Sequence, residues 1–343
     1  VGCRDLRVGR YNADAITGFT ARLVSPRQGS SMCACKWLLS LLLVLWTGSL
    51  GSILNAVEGT PSGVRVIRVA ALSFVPAKFG LQTNADRLAS MFRQARRGGA
   101  VLAVAPEGAL EGYVVNEIIA GQASPEKMKQ VAVTCDGPLI GRFRKLAREL
   151  GMCLAFGFAE RQAENVYNAA IFIDDQGQVR GKYHKMQFAE GYHPSWWFNR
   201  LGQRSRAFDT PFGRCGFLIC NDRWNPRLAR IPVLDGAQFL LIPSFGSRSR
   251  AQDEAVLSRG RENDVPVVEA NVGVTLIVDN NQVAAVDRLE EGITFANITI
   301  RPATVASVAE RNQVEQEFLT QRVEAMRRLY QRTMKRVRAE PPE

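Results

Sequence analysis

Three reactive side chains follow apolar segments of this sequence, and their types suit one reaction. Cys220 ends the apolar run GFLIC, Glu107 follows VLAVAP, and Lys185 ends the segment GQVRGKYHK. If these segments are strands of an open α/β sheet, the three side chains face one pocket, because ligands gather at the carboxyl ends of such strands. A thiol can act as nucleophile and a carboxylate as its base, while an ammonium group stabilises an oxyanion. Lys182 and Lys185 point to opposite faces of an extended strand, so only one of them enters the pocket.

Few histidines are present for catalysis, because the sequence holds only His184 and His193. This scarcity disfavours Ser-His-Asp and Cys-His sites and excludes a histidine-rich metal site. The sequence has seven cysteines, and four of them lie beyond residue 57: Cys135, Cys153, Cys215 and Cys220. No close spacing among these four predicts a disulfide framework or a zinc site, although an oxidising compartment would permit disulfides. We therefore expect no metal site.

The N-terminal part of the chain has the composition of a signal peptide. An apolar stretch runs from Trp37 to Trp46 and then gives way to small residues that end at Ala56. A membrane-spanning helix needs about 20 predominantly apolar residues, and this stretch is shorter. We expect residues 32–56 to be a signal peptide cleaved after Ala56, which predicts an exported protein, periplasmic or extracellular.

An uncleaved leader is the alternative interpretation of the same segment. In that case residues 37–54 would anchor the protein to a membrane, and a membrane is a partner only then. Residues 1–31 resemble no folded element, so we interpret them as a non-native extension upstream of a start at Met32.

The formal net charge of the sequence is +11, and much of this charge lies at the two ends. Six of the 44 basic residues and two of the 33 acidic residues precede residue 57, and further basic residues gather in the last helical segment. The rest of the sequence has no basic stripe interleaved with aromatic residues. We therefore predict a solvated surface charge and no nucleic-acid partner.

Apolar runs alternate with amphipathic segments from about residue 65 onward, and two hairpins interrupt the alternation. This pattern predicts an α/β layered fold. Helices are expected to begin near Asn84 and Asp136, whose side chains suit N-caps. Residues 307–338 have apolar positions at helical spacing, which predicts an amphipathic helix that packs on the domain or on a partner subunit.

Four segments resemble one family, the nitrilase superfamily of carbon-nitrogen hydrolases. PEGALEGY resembles its Pro-Glu-x-x-Leu-x-Gly-Tyr segment, and YNAAIFIDDQGQVRGKYHK is similar to its hairpin that ends in the catalytic lysine. ICNDRWNP matches the nucleophile segment, and GRENDVPVVEANVG resembles the helix-to-strand segment that follows. The resemblance covers residues 65–302. It implies a four-layer α-β-β-α sandwich, no cofactor, and a homo-oligomer that is a dimer or larger.

The resemblance also implies roles for individual residues. Glu107 is the catalytic acid and base, Lys185 stabilises the oxyanion, and Cys220 is the nucleophile. Lys182 and Glu111 are thereby placed outside the catalytic set. The remaining members of the expected site are the accessory residues Glu190 and Asn221 and the substrate-binding residues Tyr113, Arg223, Trp196 and Trp197. A loop carboxylate in water is the alternative for Glu190, and packing against a neighbouring subunit is the alternative for the tryptophans.

The run Cys-Asn-Asp-Arg is closest to the N-carbamoyl amino acid amidohydrolase and amidase branches. There Arg223 corresponds to an arginine that holds the substrate carboxylate, and an adjacent second arginine is Trp224 here, which removes one arm of a fork. The resemblance implies hydrolysis of an amide or N-carbamoyl C–N bond in a small molecule through a Cys thioester, releasing ammonia or an amine. The alternatives are a nitrile substrate, an acyltransferase on the same scaffold, and an inactive exported binding protein.

Overall fold

The computed structural model describes residues 63–303 and 306–339, the last four of them by backbone alone. The predicted upstream extension, residues 1–31, and the predicted signal peptide, residues 32–56, lie outside the described residues. Within the described part, no helix is long and apolar enough to cross a membrane.

Two six-stranded sheets form the centre of the described structure. The strands of the first sheet are β1 (Arg65–Ser73), β2 (Leu102–Val104), β3 (Cys153–Gln162), β4 (Asn165–Ile173), β5 (Val179–His184) and β12 (Gly292–Ile300). The strands of the second sheet are β6 (Phe208–Thr210), β7 (Gly213–Phe217), β8 (Phe239–Ser244), β9 (Val267–Asn271), β10 (Val274–Asp279) and β11 (Gln282–Asp287).

The two sheets have matching topologies. Their spatial orders are β12-β1-β2-β3-β4-β5 and β11-β10-β9-β8-β7-β6. The three strands β1, β2 and β3 are parallel in the first sheet, as are β7, β8 and β9 in the second, while the outer pairings are antiparallel. In each sheet the carboxyl ends of the parallel strands therefore meet at one edge, where a site can form.

The helices of the described residues are α1 (Leu81–Arg97), α2 (Val115–Ile119), α3 (Pro125–Val131), α4 (Pro138–Leu150), α5 (Pro226–Leu234), α6 (Arg250–Asn263) and α7 (Val308–Ala339). One 3₁₀ helix, Cys220–Trp224, follows β7. Helices α1 and α4 cover the first sheet, and residues of α5 and α6 join the core of the second.

Strand β1 shows why four layers form. Its side chains alternate between two buried faces: Val69 and Ala71 belong to the core between the sheets, while Ala70 and Leu72 pack with α1 and α4. Because both faces are covered, the strand reads as a continuous apolar run. The predicted α-β-β-α sandwich is confirmed.

Both helices begin near the predicted residues, but neither Asn84 nor Asp136 is the N-cap. Asn84 lies inside α1, where its side chain donates to the carbonyls of Ala77 at 2.7 Å and Leu110 at 2.8 Å and so ties two loops together. Helix α4 is capped by Gly137 without a side-chain bond, and Asp136 lies outside the helix. Pro138 occupies the first turn, where proline removes one of the N–H groups that a cap would otherwise satisfy.

Helix α7 packs along the described domain by one face. Phe318 and Met326 are buried there, while Val308 and Val323 are more than half exposed. The hydroxyl of Ser307 accepts the backbone N–H of Glu310 at 3.2 Å and so caps the start of the helix.

Candidate active site

Glu107 lies just beyond the end of β2 and is fully buried. Its backbone passes so close to β3 that a Cβ on Gly157 would come within 2.6 Å of the Glu107 Cα, which is why a glycine stands there. Oε1 accepts bonds from Asn168 Nδ2 at 2.6 Å and Lys185 Nζ at 2.7 Å. Oε2 accepts the backbone N–H of Phe245 at 3.0 Å. Three donors therefore fix both carboxylate oxygens.

Lys185 follows β5, and its side chain has no exposed surface. Its backbone N–H donates to the carbonyl of Asn168 at 2.8 Å, which sets the direction of the side chain. Burial alone lowers the pKa of Lys185, but the charges of Glu107 and Cys220 outweigh burial, so the pKa is raised. The ammonium group is therefore retained at neutral pH. The Lys182 side chain does not join this cluster. It pairs with Glu160 at 2.7 Å, and about a third of it is exposed.

Cys220 is not the last residue of a strand, in contrast to the sequence-based prediction. Strand β7 ends at Phe217, and Cys220 begins the 3₁₀ helix with a positive φ of 45°. The carboxylate of Asp222 turns the chain here, because it accepts the N–H groups of Ile219 and Gln187, each at 2.9 Å. A positive φ is uncommon for a residue with a Cβ and is characteristic of functional sites.

The Cys220 thiol lies among groups of both charges. Its Sγ donates to the carbonyl of Phe245 at 3.7 Å and lies 3.5 Å from Nη2 of Arg223. Burial, together with the charge of Glu107, raises the pKa of the thiol to about 12, against the opposing charges of Lys185 and Arg223. The thiol is therefore protonated at neutral pH and needs a base before it can act as a nucleophile.

Phe245 and Asn168 belong to this centre, although the sequence did not single them out. The backbone of Phe245 contacts both the carboxylate and the thiol, since its N–H donates to Glu107 and its carbonyl accepts from Cys220. A backbone contribution leaves no side-chain signature in a sequence. Asn168 stands in the quoted segment YNAAIF, so its polar side chain on a buried strand was an available signal.

Glu190 and Tyr113 lie together beside Lys185. The Tyr113 hydroxyl donates to Glu190 Oε1 at 3.0 Å, and the Tyr113 ring centroid is 5.9 Å from Lys185 Nζ. The same ring stacks on Phe245 with centroids 5.1 Å apart. On the other side, Thr333 of α7 donates to the carbonyl of Glu190 at 2.7 Å. The structure therefore brings both predicted residues to the cluster of Glu107, Lys185 and Cys220.

Asn221 and the two tryptophans have partners in other segments. Asn221 Nδ2 donates to the carbonyl of Gln187 at 3.3 Å, which links the 3₁₀ helix to the segment after Lys185. Trp196 and Trp197 stack on each other at 4.5 Å, and Trp196 lies 5.0 Å from Tyr330 of α7. Trp196 thus packs against the C-terminal helix of the same chain, and Trp197 stacks on Trp196.

Arg223, predicted to bind substrate, is almost fully buried at 1% exposure. Its Nη1 donates to Ser244 Oγ at 2.8 Å and forms an ion pair with Glu269. The guanidinium group therefore lies behind Cys220 with a carboxylate partner already in place. Glu269 was visible in the sequence as an acid inside the apolar strand PVVEANV, but nothing there identified its partner.

The described residues hold no cluster of three or more His, Cys, Asp or Glu side chains that could bind a metal ion. Cys135, Cys153, Cys215 and Cys220 are all free thiols in this part of the chain.

The sequence matches a family model and several known proteins. The Carbon-nitrogen hydrolase family model matches residues 68–309. The N-carbamoylputrescine amidase of Arabidopsis thaliana is 30% identical over 225 residues, which cover 64% of this chain and 72% of the relative. The citrullinase of Francisella tularensis is 27% identical over 241 residues, covering 62% of this chain and 82% of the relative.

The fold is shared with solved structures as well. An amidase from Nesterenkonia sp. superimposes with a TM-score of 0.58 at 23% identity, covering 72% of this chain and 95% of that chain. The fold and the family match together define an enzyme that hydrolyses C–N bonds other than peptide bonds. The chain belongs to the carbon-nitrogen hydrolase family, within the nitrilase superfamily.

Proposed function

We propose that this enzyme hydrolyses an amide or N-carbamoyl C–N bond through a thioester on Cys220. The observation that carries this proposal is the buried contact between Lys185 and Glu107, with the Cys220 thiol bound to the same Phe245 peptide segment that holds Glu107. A carboxylate, an ammonium group and a thiol therefore lie in one buried cluster, and acyl transfer to sulfur uses groups of these three kinds.

In the first half of the reaction, Glu107 takes the thiol proton and the sulfur attacks the carbonyl carbon. Because burial raises the pKa of the thiol to about 12, little free thiolate is present at neutral pH, and a base is needed to take the proton. Lys185 and the backbone N–H of Asn221 stabilise the oxyanion. The C–N bond then breaks, Glu107 returns its proton to the nitrogen, and ammonia or an amine departs.

In the second half, water resolves the thioester. Glu107 accepts a proton from the water, the new C–O bond forms, and the C–S bond breaks. The sulfur recovers the proton and the acid product leaves. Lys185 stabilises the second oxyanion in the same position, since its bond to Glu107 Oε1 at 2.7 Å holds it throughout.

Relatives and the state of Arg223 guide the choice of substrate. One relative is an N-carbamoylputrescine amidase and another a citrullinase, both named for ureido compounds. In a Nesterenkonia sp. amidase of the same fold, acrylamide has added to the active-site cysteine. Because Arg223 is paired with Glu269, we propose a substrate that does not need an arginine fork for a carboxylate.

The test is an assay of ammonia release from matched primary amides, carbamoyl amines, carbamoyl amino acids and nitriles, with the intact mass recorded during turnover. We expect release from amides or carbamoyl amines together with a transient acyl adduct, and we expect Cys220→Ala to lose both. Transfer of the acyl group to an added amine in preference to water would identify an acyltransferase. A thiol that forms no adduct with any of these compounds would favour a binding protein.

A further inference from the structure

The Arg223 side chain joins the nucleophile to a second buried carboxylate. Nη2 lies 3.5 Å from Cys220 Sγ, while Nη1 donates to Ser244 Oγ at 2.8 Å and is ion-paired with Glu269. One guanidinium group therefore contacts both a reacting atom and an acid on β9. Its Nε is buried without a hydrogen-bond partner, so the two Nη atoms make the polar contacts of the group.

Glu269 is fixed by further bonds on two elements. Oε1 accepts the Ser244 hydroxyl at 2.9 Å, and Oε2 accepts Gln252 Nε2 at 3.0 Å. Gln252 in turn accepts Asn271 Nδ2 at 3.2 Å, and Asn271 accepts the backbone N–H of Gly246 at 3.0 Å. Gly246 borders the nucleophile, because a Cβ there would lie 3.1 Å from Cys220 Sγ. The bonds thus form a chain that begins and ends beside the thiol.

Burial strengthens the electrostatic interactions of Arg223 and Glu269. Arg223 and Glu269 are each at most 1% exposed, and charges in such a medium interact over short distances with little screening. The charged or titratable groups near the thiol are Glu107, Lys185, Arg223 and Tyr113. Lys185 is already paired with Glu107, so Arg223 supplies a second cation from the opposite sheet.

We propose that Arg223 is a further catalytic residue, whose Nη2 stabilises the developing thiolate of Cys220. Glu269 is a positioning residue that holds the guanidinium group and partly neutralises its charge. The proposal rests on the proposed function in that Cys220 is the nucleophile. It assigns opposite effects to the two partners. Without the guanidinium group the thiolate keeps the unfavourable charge of Glu107 and loses a favourable one, whereas without the Glu269 charge the Arg223 cation beside it is no longer partly neutralised.

The experiment measures the rate at which iodoacetamide alkylates Cys220 in the purified protein between pH 6 and pH 9, located by peptide mass. Below the thiol pKa this rate follows the thiolate fraction, so a shift of one unit changes it about tenfold. We expect Arg223→Gln to lower the rate about tenfold and Glu269→Gln to raise it about tenfold. Arg223→Lys restores most of the wild-type rate. Arg248→Gln is the control, because it removes an exposed arginine that pairs with Glu290.

The alkylation rate of the Glu269→Gln protein either supports or overturns the proposal. Glu269→Gln keeps one amide oxygen that can accept from Ser244, while its NH₂ group cannot accept from Gln252. It removes the charge with little change in shape, so it tests the charge even if Arg223→Gln fails to fold. Circular dichroism establishes which variants are folded. A folded Glu269→Gln protein with an unchanged or lowered rate would overturn the proposal, since a merely structural pair loses reactivity from either side.

Turnover of an amide, measured on the same proteins, separates this inference from the proposed function. Opposite alkylation shifts in a protein that hydrolyses no C–N substrate would support the role of Arg223 and reject the hydrolase. Hydrolysis with unchanged alkylation would retain the hydrolase and reject the role of Arg223.

Discussion

At the scale of the residue, Glu107 and Lys185 depend on each other, because both are buried and each neutralises the other. Replacing Lys185 by Gln removes the proposed oxyanion donor and leaves the Glu107 carboxylate without its cation. We expect kcat for amide hydrolysis to fall by about 10²–10³, the usual effect of losing one such donor. Steady-state kinetics on the folded variant measure this fall.

The matched control is Lys182→Gln, three residues earlier on the other side of the strand end. Its lysine pairs with Glu160 and is partly exposed, so we expect kcat to stay within about twofold of wild type. Equal losses in the two variants would contradict the assignment of Lys185.

Glu111 gives a second prediction, on stability. Burial, aided by the charge of Glu107, raises its pKa from 4.5 to about 7, and its Oε1 has no hydrogen-bond partner. Between these two values the folded protein holds a proton that the unfolded chain has lost, so stability falls as the pH rises through this window and is level above it. The shift from 4.5 to about 7 corresponds to roughly 3 kcal/mol.

Glu111→Gln removes this titration. We therefore expect the Tm of the variant relative to wild type to increase by several degrees between pH 5 and pH 8, as measured by thermal unfolding. Glu149→Gln, at an exposed carboxylate, serves as control. A difference in Tm that is constant with pH would show that Glu111 stays ionised.

The reactive side chains of the centre were accessible from the sequence, because thiol, carboxylate and ammonium groups stand out at the ends of apolar runs. The groups that hold these side chains in place could not be predicted from the sequence. The Phe245 backbone binds Glu107 and Cys220 through atoms that every residue has. The pairing of Arg223 with Glu269 joins positions 46 residues apart, a distance in sequence that no local pattern spans.

At the scale of the element, helix α7 holds the segment that follows Lys185. Arg322 donates to the carbonyls of Gly202 at 2.6 Å and Met186 at 3.4 Å and to the Gln203 side chain at 3.1 Å. Gly202 in turn donates its N–H to the Lys185 carbonyl at 2.9 Å. We expect Arg322→Met to lower the free energy of unfolding by roughly 3 kcal/mol and to lower kcat, because three bonds to a buried cation are lost.

Denaturant titration and kinetics check this expectation. Arg327→Met is the matched control, since that side chain is 66% exposed and pairs only within the helix with Glu324. If the two variants have equal stability and equal kcat, α7 does not support the site.

The alternation of apolar and amphipathic segments predicted the layered α/β fold, but it did not predict the turn at Cys220. The apolar run continues through Leu218 and Ile219, so the sequence predicts a longer strand. Asp222 overrides that tendency through bonds to Gln187 and to the Tyr183 hydroxyl, each at 2.9 Å. These partners lie on the other sheet or just after it, so the turn is set by tertiary contacts.

At the scale of the whole molecule, residues 32–56 lie outside the described structure, and we propose that they direct export and are removed. Mass spectrometry of the protein made from the full reading frame would then show Val57 as the first residue in the exported fraction. A protein that keeps residues 37–54 and sediments with membranes would instead support the anchor.

Assembly is a further proposal at this scale. We expect a homo-oligomer, a dimer or larger, in which exposed apolar side chains such as Trp224 at 46% exposure are covered. Light scattering after size exclusion measures the mass. A monomer at micromolar concentration would contradict the expectation.

The centre draws Glu107 and Lys185 from the first sheet and Cys220 from the second, so it exists only where the two sheets meet. In a chain that has formed one sheet, or both sheets undocked, Cys220 is separated from Glu107 and Lys185. On the proposed mechanism, amide turnover therefore reports that the two sheets have docked, because neither sheet alone holds all three groups.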